Sequence, residues 1–509
     1  MRYAVNSEVM KLIDKYTVDT VKIPALVLME RAALEAVNVM KKRVRKEDRI
    51  LVVCGPGNNG GDGVAAGRIL YQQGYHVALL FICGEENFSS QMKVQAEIAR
   101  NLGMTVENNN KPDEYNIIID AIFGVGLSRP VEGVFEEIIN EINRCEHIVY
   151  SVDIPSGISA DTGKVMKAAV RADYTITFGF MKQGLLLYPG ADYAGEITVA
   201  DIGFPGKVPE TAGTPAFYYG REDLQLLPAR KDYSHKGTYG RVLVIAGSRG
   251  MSGAAYLSAK AAYRTGAGLV KLLTSCVNRD ILQTLLPEAL FAAYDGDRDE
   301  ELRDEIKAAL AWASVIVIGP GLGKSKEVKE LLRLVLNQAA VPLIVDADAL
   351  NILAEWLDRD QILRPEDRLL KIGEMLPGNV ILTPHLMELS RLTKLPPEAV
   401  KDNMIDTARQ CSYNSKLVYA IKDARTIVCG NERLYINSSG NNGMATGGSG
   451  DVLTGIIAAL IAQGMTSYEA ACLGVYIHGL SGDQASDRKG TYALMAGDII
   501  DAIETVMHN

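Results

Sequence analysis

Short apolar runs alternate with amphipathic stretches along the whole chain, which is the pattern of buried strands and the helices that cover them. In the first half the pattern predicts five strands, at 49–54, 76–82, 116–120, 147–153 and 174–178. It also predicts five helices, at 8–16, 24–45, 64–73, 89–102 and 132–143. Regular alternation of strand and helix is typical of a doubly wound parallel sheet with helices on both faces.

A second series begins near residue 233, after a loop at 203–215 that is rich in Gly and Pro. Its predicted strands lie at 241–246, 268–274, 314–318, 342–346, 379–382 and 416–421, with a helix at 254–266. A hairpin follows, with strands at 425–429 and 432–436 joined through Gly430 and Asn431. We therefore expect an α/β protein of two domains, a Rossmann-like doubly wound sheet at 1–215 and a second α/β domain at 225–509.

Composition narrows the class of protein. The chain has 509 residues, of which 48% are hydrophobic and 23% charged, as in globular proteins too long for one core. The net charge of −9 argues against a nucleic-acid partner. No apolar run reaches the roughly 18 residues of a membrane span, and the N-terminus lacks an apolar signal segment.

The seven cysteines are scattered without a Cys-x-x-Cys pair, which is typical of reduced thiols. We therefore expect a cytoplasmic protein with neither a membrane nor a nucleic-acid partner. The predicted helix at 24–45 is apolar on more than one side, and we expect a homo-oligomer.

The stretch from Gly440 to Gly455 carries the first candidate chemistry. Glycines run into an apolar helix that begins near Val452, and free N–H groups at a helix start bind anions such as phosphate. Asp451 is electrostatically out of place in an anion site unless it handles a proton or a metal. The alternative is a flexible surface loop with a helix-capping Asp.

A second glycine-rich turn, from Gly55 to Gly63, directly follows the strand at 49–54. Asn58 and Asn59 lie between the glycines of this turn, where the dinucleotide-binding fingerprint does not have them. Their amide oxygens suit a hard cation or sugar hydroxyls. Asp62, Asp120 and Asp153 lie at strand ends or turns, and the carboxyl ends of parallel strands share one edge of a sheet. We expect these carboxylates to converge on one crevice, although each alone could be a cap or turn residue.

The stretches 57–62, 120–126 and 151–157 resemble the YjeF N-terminal family, the NAD(P)H-hydrate epimerases, over about residues 1–215. The resemblance implies that hydrated NAD(P)H binds the crevice and that Asp153 contacts the reacting region. It implies a potassium ion held by Asn59, Asp120 and Ser156. The residues implied to contact the hydrate are Asn58, Asn59, Gly60, Gly61, Asp62, Gly124, Val125, Gly126, Leu127, Ser128, Arg129, Pro130 and Asp153.

Four stretches of the second half lie at predicted strand-to-helix turns, at 317–323, 345–351, 383–389 and 447–451. In isolation Asp346 could cap a helix and His385 could be a surface residue. Together with Ser234–Gly240, the stretches resemble the ribokinase-like superfamily, and within it the YjeF C-terminal family of ADP-dependent NAD(P)H-hydrate dehydratases, over about 225–505. The resemblance implies a ribokinase-like α/β fold for this half.

The same resemblance implies roles for individual residues. Asp451 is the implied base, Gly447–Gly450 the anion hole, and Ala254, Gly321, His385 and Asp451 the contacts to the hydrate. The implied nucleotide-binding residues are Lys422, Asp423, Ala424, Arg425, Thr426, Asn441, Asn442, Gly443, Met444, Ala445, Thr446, Gly447, Gly448, Ser449 and Gly450. Asp423 departs from the family, since many relatives carry Gly there.

The two resemblances imply one bifunctional repair enzyme for NADHX and NADPHX. One half epimerises the R and S hydrates, and the other dehydrates the S hydrate by phosphorylating its hydroxyl from ADP, or from ATP, and eliminating phosphate. The implied cofactors are potassium for the epimerase and Mg²⁺ with ADP for the dehydratase. The alternatives are a ribokinase-like small-molecule kinase fused to a nucleotide-binding module, or a non-catalytic binding protein.

Overall fold

The computed structural model describes residues 1–107, 112–206, 213–295, 299–361, 364–413 and 415–508. The chain divides into two compact units, residues 3–217 and residues 218–509 together with Met1 and Arg2. The predicted linker at 203–215 includes residues 207–212, which lie outside the described residues. No helix in the described ranges combines the length and the hydropathy needed to cross a membrane.

The N-terminal unit is built around a parallel sheet. Its strands are β1 (Arg2–Val5), β2 (Arg49–Cys54), β3 (His76–Phe81), β4 (Thr105–Glu107), β5 (Ile117–Ala121), β6 (Ile148–Val152), β7 (Tyr174–Phe178), β8 (Met181–Lys182) and β9 (Glu196–Ala200), with β10 (Ala216–Tyr218) at the unit boundary. Its helices are α1 (Ser7–Asp19), α2 (Ala25–Met40), α3 (Asn58–Gln72), α4 (Ser90–Asn101), α5 (Val134–Ile142), α6 (Gln183–Leu186) and α7 (Gly190–Tyr193). Seven strands pair in the order β4-β3-β2-β5-β6-β7-β9, every neighbouring pair parallel.

The central strand β2 shows why the sequence forms this sheet. Ile50, Val52 and Cys54 pack into one apolar cluster, whereas Leu51 and Val53 pack into another. Successive side chains of a strand point to opposite faces, so a strand covered by helices on both faces is apolar throughout.

Helix α3 begins at Asn58, so the predicted start at residue 64 is wrong. The glycines allow close packing of the first turn rather than forming an open loop. A methyl group on Gly60 would lie 2.0 Å from the Gly55 carbonyl oxygen, and one on Gly63 would lie 2.3 Å from the Ala121 Cβ. Glycine has low helix propensity, and here tertiary packing outweighs that propensity.

The C-terminal unit has a larger sheet. Its strands are β11 (Arg241–Ile245), β12 (Leu269–Thr274), β13 (Leu290–Ala293), β14 (Val315–Ile318), β15 (Leu343–Val345), β16 (Val380–Leu382), β17 (Val418–Ile421), β18 (Ile427–Gly430) and β19 (Arg433–Ile436). Its helices are α8 (Ser252–Arg264), α9 (Arg279–Leu285), α10 (Asp299–Trp312), α11 (Lys326–Gln338), α12 (Ala347–Arg359), α13 (Pro365–Met375), α14 (Leu386–Thr393), α15 (Pro397–Asp402), α16 (Met404–Ser412), α17 (Ser449–Ala462), α18 (Ser467–Lys489) and α19 (Ala496–His508). The strands pair in the order β13-β12-β11-β14-β15-β16-β17-β18-β19, parallel as far as β17 and antiparallel after it.

The prediction of an α/β fold with a mainly parallel sheet in each half is confirmed by these two sheets. The predicted hairpin also forms, but its turn is displaced by one residue. Gly430 pairs with Arg433, and the turn residues are Asn431 and Glu432, with φ of 49° and 60°. Positive φ at both central residues matches the twist of a two-residue hairpin, so the predicted turn at Gly430 and Asn431 is wrong.

Candidate active sites

A cavity of about 830 Å³ lies beyond the carboxyl ends of β2, β5 and β6 in the N-terminal unit. Ten of the residues predicted for the first site line it: Asn58, Asn59, Asp62, Gly124, Val125, Gly126, Leu127, Ser128, Arg129 and Asp153. Gly60 and Gly61 are buried in the first turn of α3, and Pro130 is exposed outside the cavity lining. The parallel topology therefore brings together the predicted strand-end residues, as expected for ligands of open α/β sheets.

Asp153 directly follows β6 and has φ of 71°, which lies in the left-handed region that residues with a Cβ rarely adopt. Strain of this kind clusters at functional sites. Its carboxylate Oδ1 lies 2.6 Å from the Lys182 ammonium. Oδ2 accepts a long hydrogen bond of 3.4 Å from the Val125 amide. Asp153 is therefore held at the edge of the cavity by an ion pair.

Four charged residues of this cavity are absent from the sequence predictions, namely Asp14, Lys15 and Asp19 on α1 and Lys182 in β8. Burial, followed by repulsion from Asp153, raises the pKa of Asp14 to about 6. Burial and Asp153 also hold the pKa of Asp62 well above its ordinary value, and Lys182 opposes both shifts. A lysine inside the apolar run at 174–187 was the available signal for Lys182.

The residues predicted to hold potassium differ in how they are hydrogen-bonded. Both Asp120 oxygens are occupied, with Ser151 Oγ at 2.7 Å from Oδ2 and Ser156 Oγ at 2.5 Å from Oδ1. Burial raises the pKa of Asp120, and the hydrogen bonds from Ser156 counteract that rise. The Asn59 side-chain amide is also buried, yet neither its oxygen nor its nitrogen has a hydrogen-bond partner among the described residues.

An unsatisfied buried amide is destabilising, and a bound cation would satisfy the Asn59 oxygen. The space beside it is kept open by glycine. A methyl group on Gly124 would lie 3.1 Å from Asn59 Oδ1 and 3.1 Å from Asp153 Oδ2. The amide, hydroxyl and carboxylate oxygens of this site are the donors that hard cations take, so the residues present fit a potassium ion.

In the C-terminal unit, α17 begins directly after Gly448, and Asp451 lies in its first turn. Gly448 has φ of 90°, and a methyl group there would lie 2.4 Å from a Leu257 methyl, so glycine is required. Burial, then repulsion from Asp346, raises the pKa of Asp451 to about 7, while Lys422 opposes the rise. A carboxyl group that titrates near neutrality beside a helix start is suited to accept a proton near a phosphoryl group.

Lys422 connects the predicted stretches of this site. Its ammonium lies 2.7 Å from Asp346 Oδ1, and a methyl group on Gly450 would lie 3.3 Å from the same ammonium. Asp346 occupies the position before α12 but makes no side-chain cap, so the capping alternative is wrong for its side chain. The structure therefore places Asp346, Lys422 and the glycine-rich helix start together.

His385 has a well-defined structural contact. Its Nδ1 accepts hydrogen bonds from the Met387 and Glu388 amides at the start of α14. Burial, then the charge of Lys422, lowers the pKa of His385.

The predicted hydrate contacts Gly321 and Ala254 adjoin each other, since a methyl group on Gly321 would lie 2.9 Å from the Ala254 Cβ.

Helix α18 fixes the segment at 440–446 through hydrogen bonds. Asp483 accepts hydrogen bonds from the Gly440 amide at 2.9 Å and from the Asn441 side chain at 3.0 Å. His478 lies 3.2 Å from Ser449 Oγ, and burial lowers its pKa to about 4. Both residues were missed because α18 lies downstream of the glycine-rich motif and its polar residues follow no recognised spacing.

The residues of the predicted nucleotide-binding segment at 422–426 differ in their exposure to solvent. Lys422 reaches the site, whereas Asp423 and Ala424 are exposed. Arg425 donates a hydrogen bond of 3.5 Å to the Ser439 carbonyl, and the Thr426 carbonyl accepts one from Asn437. The roles of these residues toward a nucleotide stay predictions.

Each unit thus presents a glycine-rich helix start and a carboxylate that is at least half-buried, at the carboxyl edge of a parallel sheet. This arrangement defines an α/β enzyme with two separate candidate sites. The described residues contain no group of three or more His, Cys, Asp or Glu side chains arranged to hold a metal ion.

Comparison with known proteins identifies the family. A family model described as NAD(P)H-hydrate dehydratase matches residues 242–505, and one described as YjeF-related protein N-terminus matches residues 25–184. The bifunctional NAD(P)H-hydrate repair enzyme of Moorella thermoacetica is 35% identical, covering 100% of this chain and 97% of its own. That of Thermofilum pendens is also 35% identical, covering 96% of this chain and 93% of its own.

Among solved structures, the ADP/ATP-dependent NAD(P)H-hydrate dehydratase of Bacillus subtilis, co-crystallised with ATP and Mg²⁺, is 29% identical. It covers 57% of this chain and 97% of its own, with a TM-score of 0.48. The full-length relatives show that the chain belongs to the family of bifunctional NAD(P)H-hydrate repair enzymes. The family predicted from the glycine-rich motifs is therefore confirmed.

Proposed function

We propose that the two units repair hydrated nicotinamide nucleotides in two steps. The N-terminal unit interconverts the R and S forms of NADHX and NADPHX. The C-terminal unit dehydrates the S form with ADP and releases NAD(P)H, AMP and phosphate. The observation that carries the proposal is Asp451, a half-buried carboxyl group in the first turn of a glycine-rich helix, with its pKa raised to about 7.

Epimerisation requires the hydroxyl group to leave the hydrated ring carbon and return to its other face, or the ring to open and close. Either route moves a proton off one oxygen and back onto another. Asp153 is the proposed acid and base, because its carboxylate borders the cavity. Asn59, Asp120 and Ser156 would hold the potassium ion, which supplies positive charge for anionic groups of the substrate.

Dehydration begins when Asp451 accepts the proton of the substrate hydroxyl. The freed oxygen attacks the terminal phosphoryl group of ADP, and the bond to the AMP oxygen breaks. The ring nitrogen then expels phosphate, and loss of a proton from the adjacent ring carbon restores the dihydropyridine. Phosphate is a far better leaving group than hydroxide, so the chain's own task is mainly positioning and charge neutralisation.

The amides of Gly447–Gly450 and the ammonium of Lys422 are the proposed groups for the phosphates. Mg²⁺ would arrive with ADP and be held largely by phosphate oxygens, since it retains waters and needs few protein carboxylates. It would supply further charge neutralisation. Ala254, Gly321 and His385 are the proposed contacts to the hydrate.

Two further proposals concern the whole protein. We place it in the cytoplasm, because its substrates are nicotinamide nucleotides. We also propose a homo-oligomer, because α2 keeps Leu26 (39% exposed), Val27 (46%) and Leu34 (44%) open on its surface. Sedimentation velocity tests the second proposal, and a monomer at all concentrations would overturn it.

The test of function is a repair assay on each purified epimer of NADHX, with ADP or ATP, followed by recovery of dihydropyridine absorbance. The S form should be repaired directly, with ADP preferred, and the R form only after epimerisation. The variant Asp153→Asn should repair S but not R, and Asp451→Asn should repair neither. No recovery with either nucleotide would contradict the dehydratase, and ATP consumption with an unrelated alcohol would favour the kinase alternative.

A further inference from the structure

Lys182 is a buried charged residue that the proposed reaction does not yet use. Its side chain is 1% exposed, at the end of the short strand β8. A buried ammonium is strongly destabilising unless acceptors surround it. Its Nζ lies 2.6 Å from Asp153 Oδ1, 2.8 Å from Thr177 Oγ1 and 2.9 Å from the Phe178 carbonyl oxygen. An ammonium has three N–H donors, so these acceptors fix its position completely.

The other contacts of the Asp153 carboxylate are longer. Thr177 Oγ1 lies 3.5 Å from Oδ1, and the Val125 amide lies 3.4 Å from Oδ2. The ion pair with Lys182 is therefore the short contact that sets the carboxylate's rotation. With Oδ1 held by Lys182, Oδ2 points to the space beside Gly124, which also faces the Asn59 amide oxygen.

Charged groups approach this pair from several elements. Asp14 comes from α1 and Asp62 from α3, and both interact repulsively with Asp153. Lys182 is the cation that opposes the pKa rise of both carboxyl groups. Without it, the Asp153 carboxylate would face two other carboxyl groups and would rotate away from them.

We propose that Lys182 is a positioning residue of the epimerase site, which fixes one oxygen of Asp153 so that the other faces the hydrated carbon. The inference rests on the proposed role of Asp153 in proton transfer. It assigns Lys182 no contact with the substrate, because all of its donors are already used. Misplacing a reacting group by about 1 Å lowers a rate by about 100-fold.

The main test uses Lys182→Met in the full-length chain, with epimerase kcat and KM measured by separating the R and S forms over time. The expected result is a kcat lower by about 100-fold, with KM within about threefold of wild type, because the substrate contacts remain. In the Asp153→Asn background the same change should lower the rate by less than about threefold, because the residue through which Lys182 acts is gone. A kcat near wild type in a folded Lys182→Met protein would overturn the proposal.

A second variant covers the case in which Lys182→Met does not fold. Thr177→Val removes one acceptor of the ammonium but keeps the ion pair, and should lower kcat by roughly threefold to tenfold with KM retained. A Thr177→Val protein with lower thermal stability but unchanged kcat would overturn the proposal. A different result would contradict the proposed function itself: an Asp153→Asn protein that epimerises at the wild-type rate.

Discussion

The two candidate sites use the same pair of residue types in different ways. In the N-terminal unit a buried lysine lies 2.6 Å from the carboxylate proposed to transfer protons, Asp153. In the C-terminal unit the lysine of the site, Lys422, lies 2.7 Å from Asp346, which is not the carboxylate proposed to accept the proton. Among the described residues the Asp451 carboxylate has no ion-pair partner within 4 Å, and its pKa is raised to about 7. One site therefore orients its carboxylate with a cation, whereas the other leaves it free to accept a proton.

This contrast agrees with the two reactions proposed. Epimerisation returns the proton that it removes, so geometry matters most. Phosphoryl transfer needs a base whose pKa is close to the working pH, and the burial of Asp451 provides one.

Replacing Asp451 by Asn should have the largest effect. Without a proton acceptor at the hydroxyl, dehydratase kcat should fall by about 1,000-fold or more, while epimerisation is retained. The measurement is AMP formation with the S form. Asp360→Asn, an exposed carboxylate change at the end of α12, is the matched control and should behave as wild type. An Asp451→Asn enzyme with wild-type turnover would exclude Asp451 as the base.

Filling the gap between Asn59 and Asp153 should have the next largest effect. The Gly124→Ala methyl group would lie 3.1 Å from oxygens of both residues, so epimerase kcat/KM should fall by about tenfold. Gly206→Ala is the matched comparison, because nothing lies within 4 Å of its added methyl group and Gly206 is exposed outside the cavity lining. Equal losses for the two variants would show that this gap is not part of the site.

The pH dependence of the dehydratase should follow Asp451. Because the free enzyme needs this group deprotonated, kcat/KM should rise with pH to a midpoint near pH 7. Asp346→Asn removes a carboxylate that raises the pKa of Asp451, so the midpoint should move to lower pH. Lys422→Met removes an opposing cation and should move it to higher pH. A midpoint that both variants leave unchanged would mean that another group controls the rate.

The smallest effect concerns stability. The unfolded chain ionises Asp451 near its ordinary pKa of 3.8, whereas the folded chain does so near 7. Ionisation therefore destabilises the folded state increasingly between these values, and fully above pH 7. Asp451→Asn should stabilise the C-terminal unit at pH 8 by at most about 4 kcal/mol, before solvent screening reduces it, and should have no effect near pH 4. Thermal unfolding at both pH values measures this, and an equal shift at both would contradict the burial argument.

Much of the architecture was predictable because its signals are local. The strands β2, β5 and β6 are continuous apolar runs that end in glycines or carboxylates, so their type and approximate bounds followed from the sequence. The start of α3 did not, because its glycines are helical only through close packing on Gly55 and Ala121. The turn of the β18–β19 hairpin was also misplaced, since its φ values depend on strand pairing.

The site residues also fall into those that the sequence could predict and those that it could not. The positions of Asp451 and of the asparagines of the first motif were predictable because these residues lie in glycine-rich stretches, and that of Asp153 because it ends an apolar strand. Lys182, Asp14, His478 and Asp483 were not predicted, because their polar atoms meet the sites only after the chain has folded.

The sequence by itself determined the alternation of strand and helix, the two glycine-rich turns and the carboxylate beside each. These features depend on residues only a few positions apart, where local geometry decides. Only the tertiary structure decided which cation meets which carboxylate, since Lys422 and Asp346 are 76 positions apart and no short-range pattern relates them. Among the described residues, that choice pairs Lys182 with Asp153 but leaves Asp451 without an ion-pair partner within 4 Å, because the fold brings distant parts of the chain to the edge of each sheet.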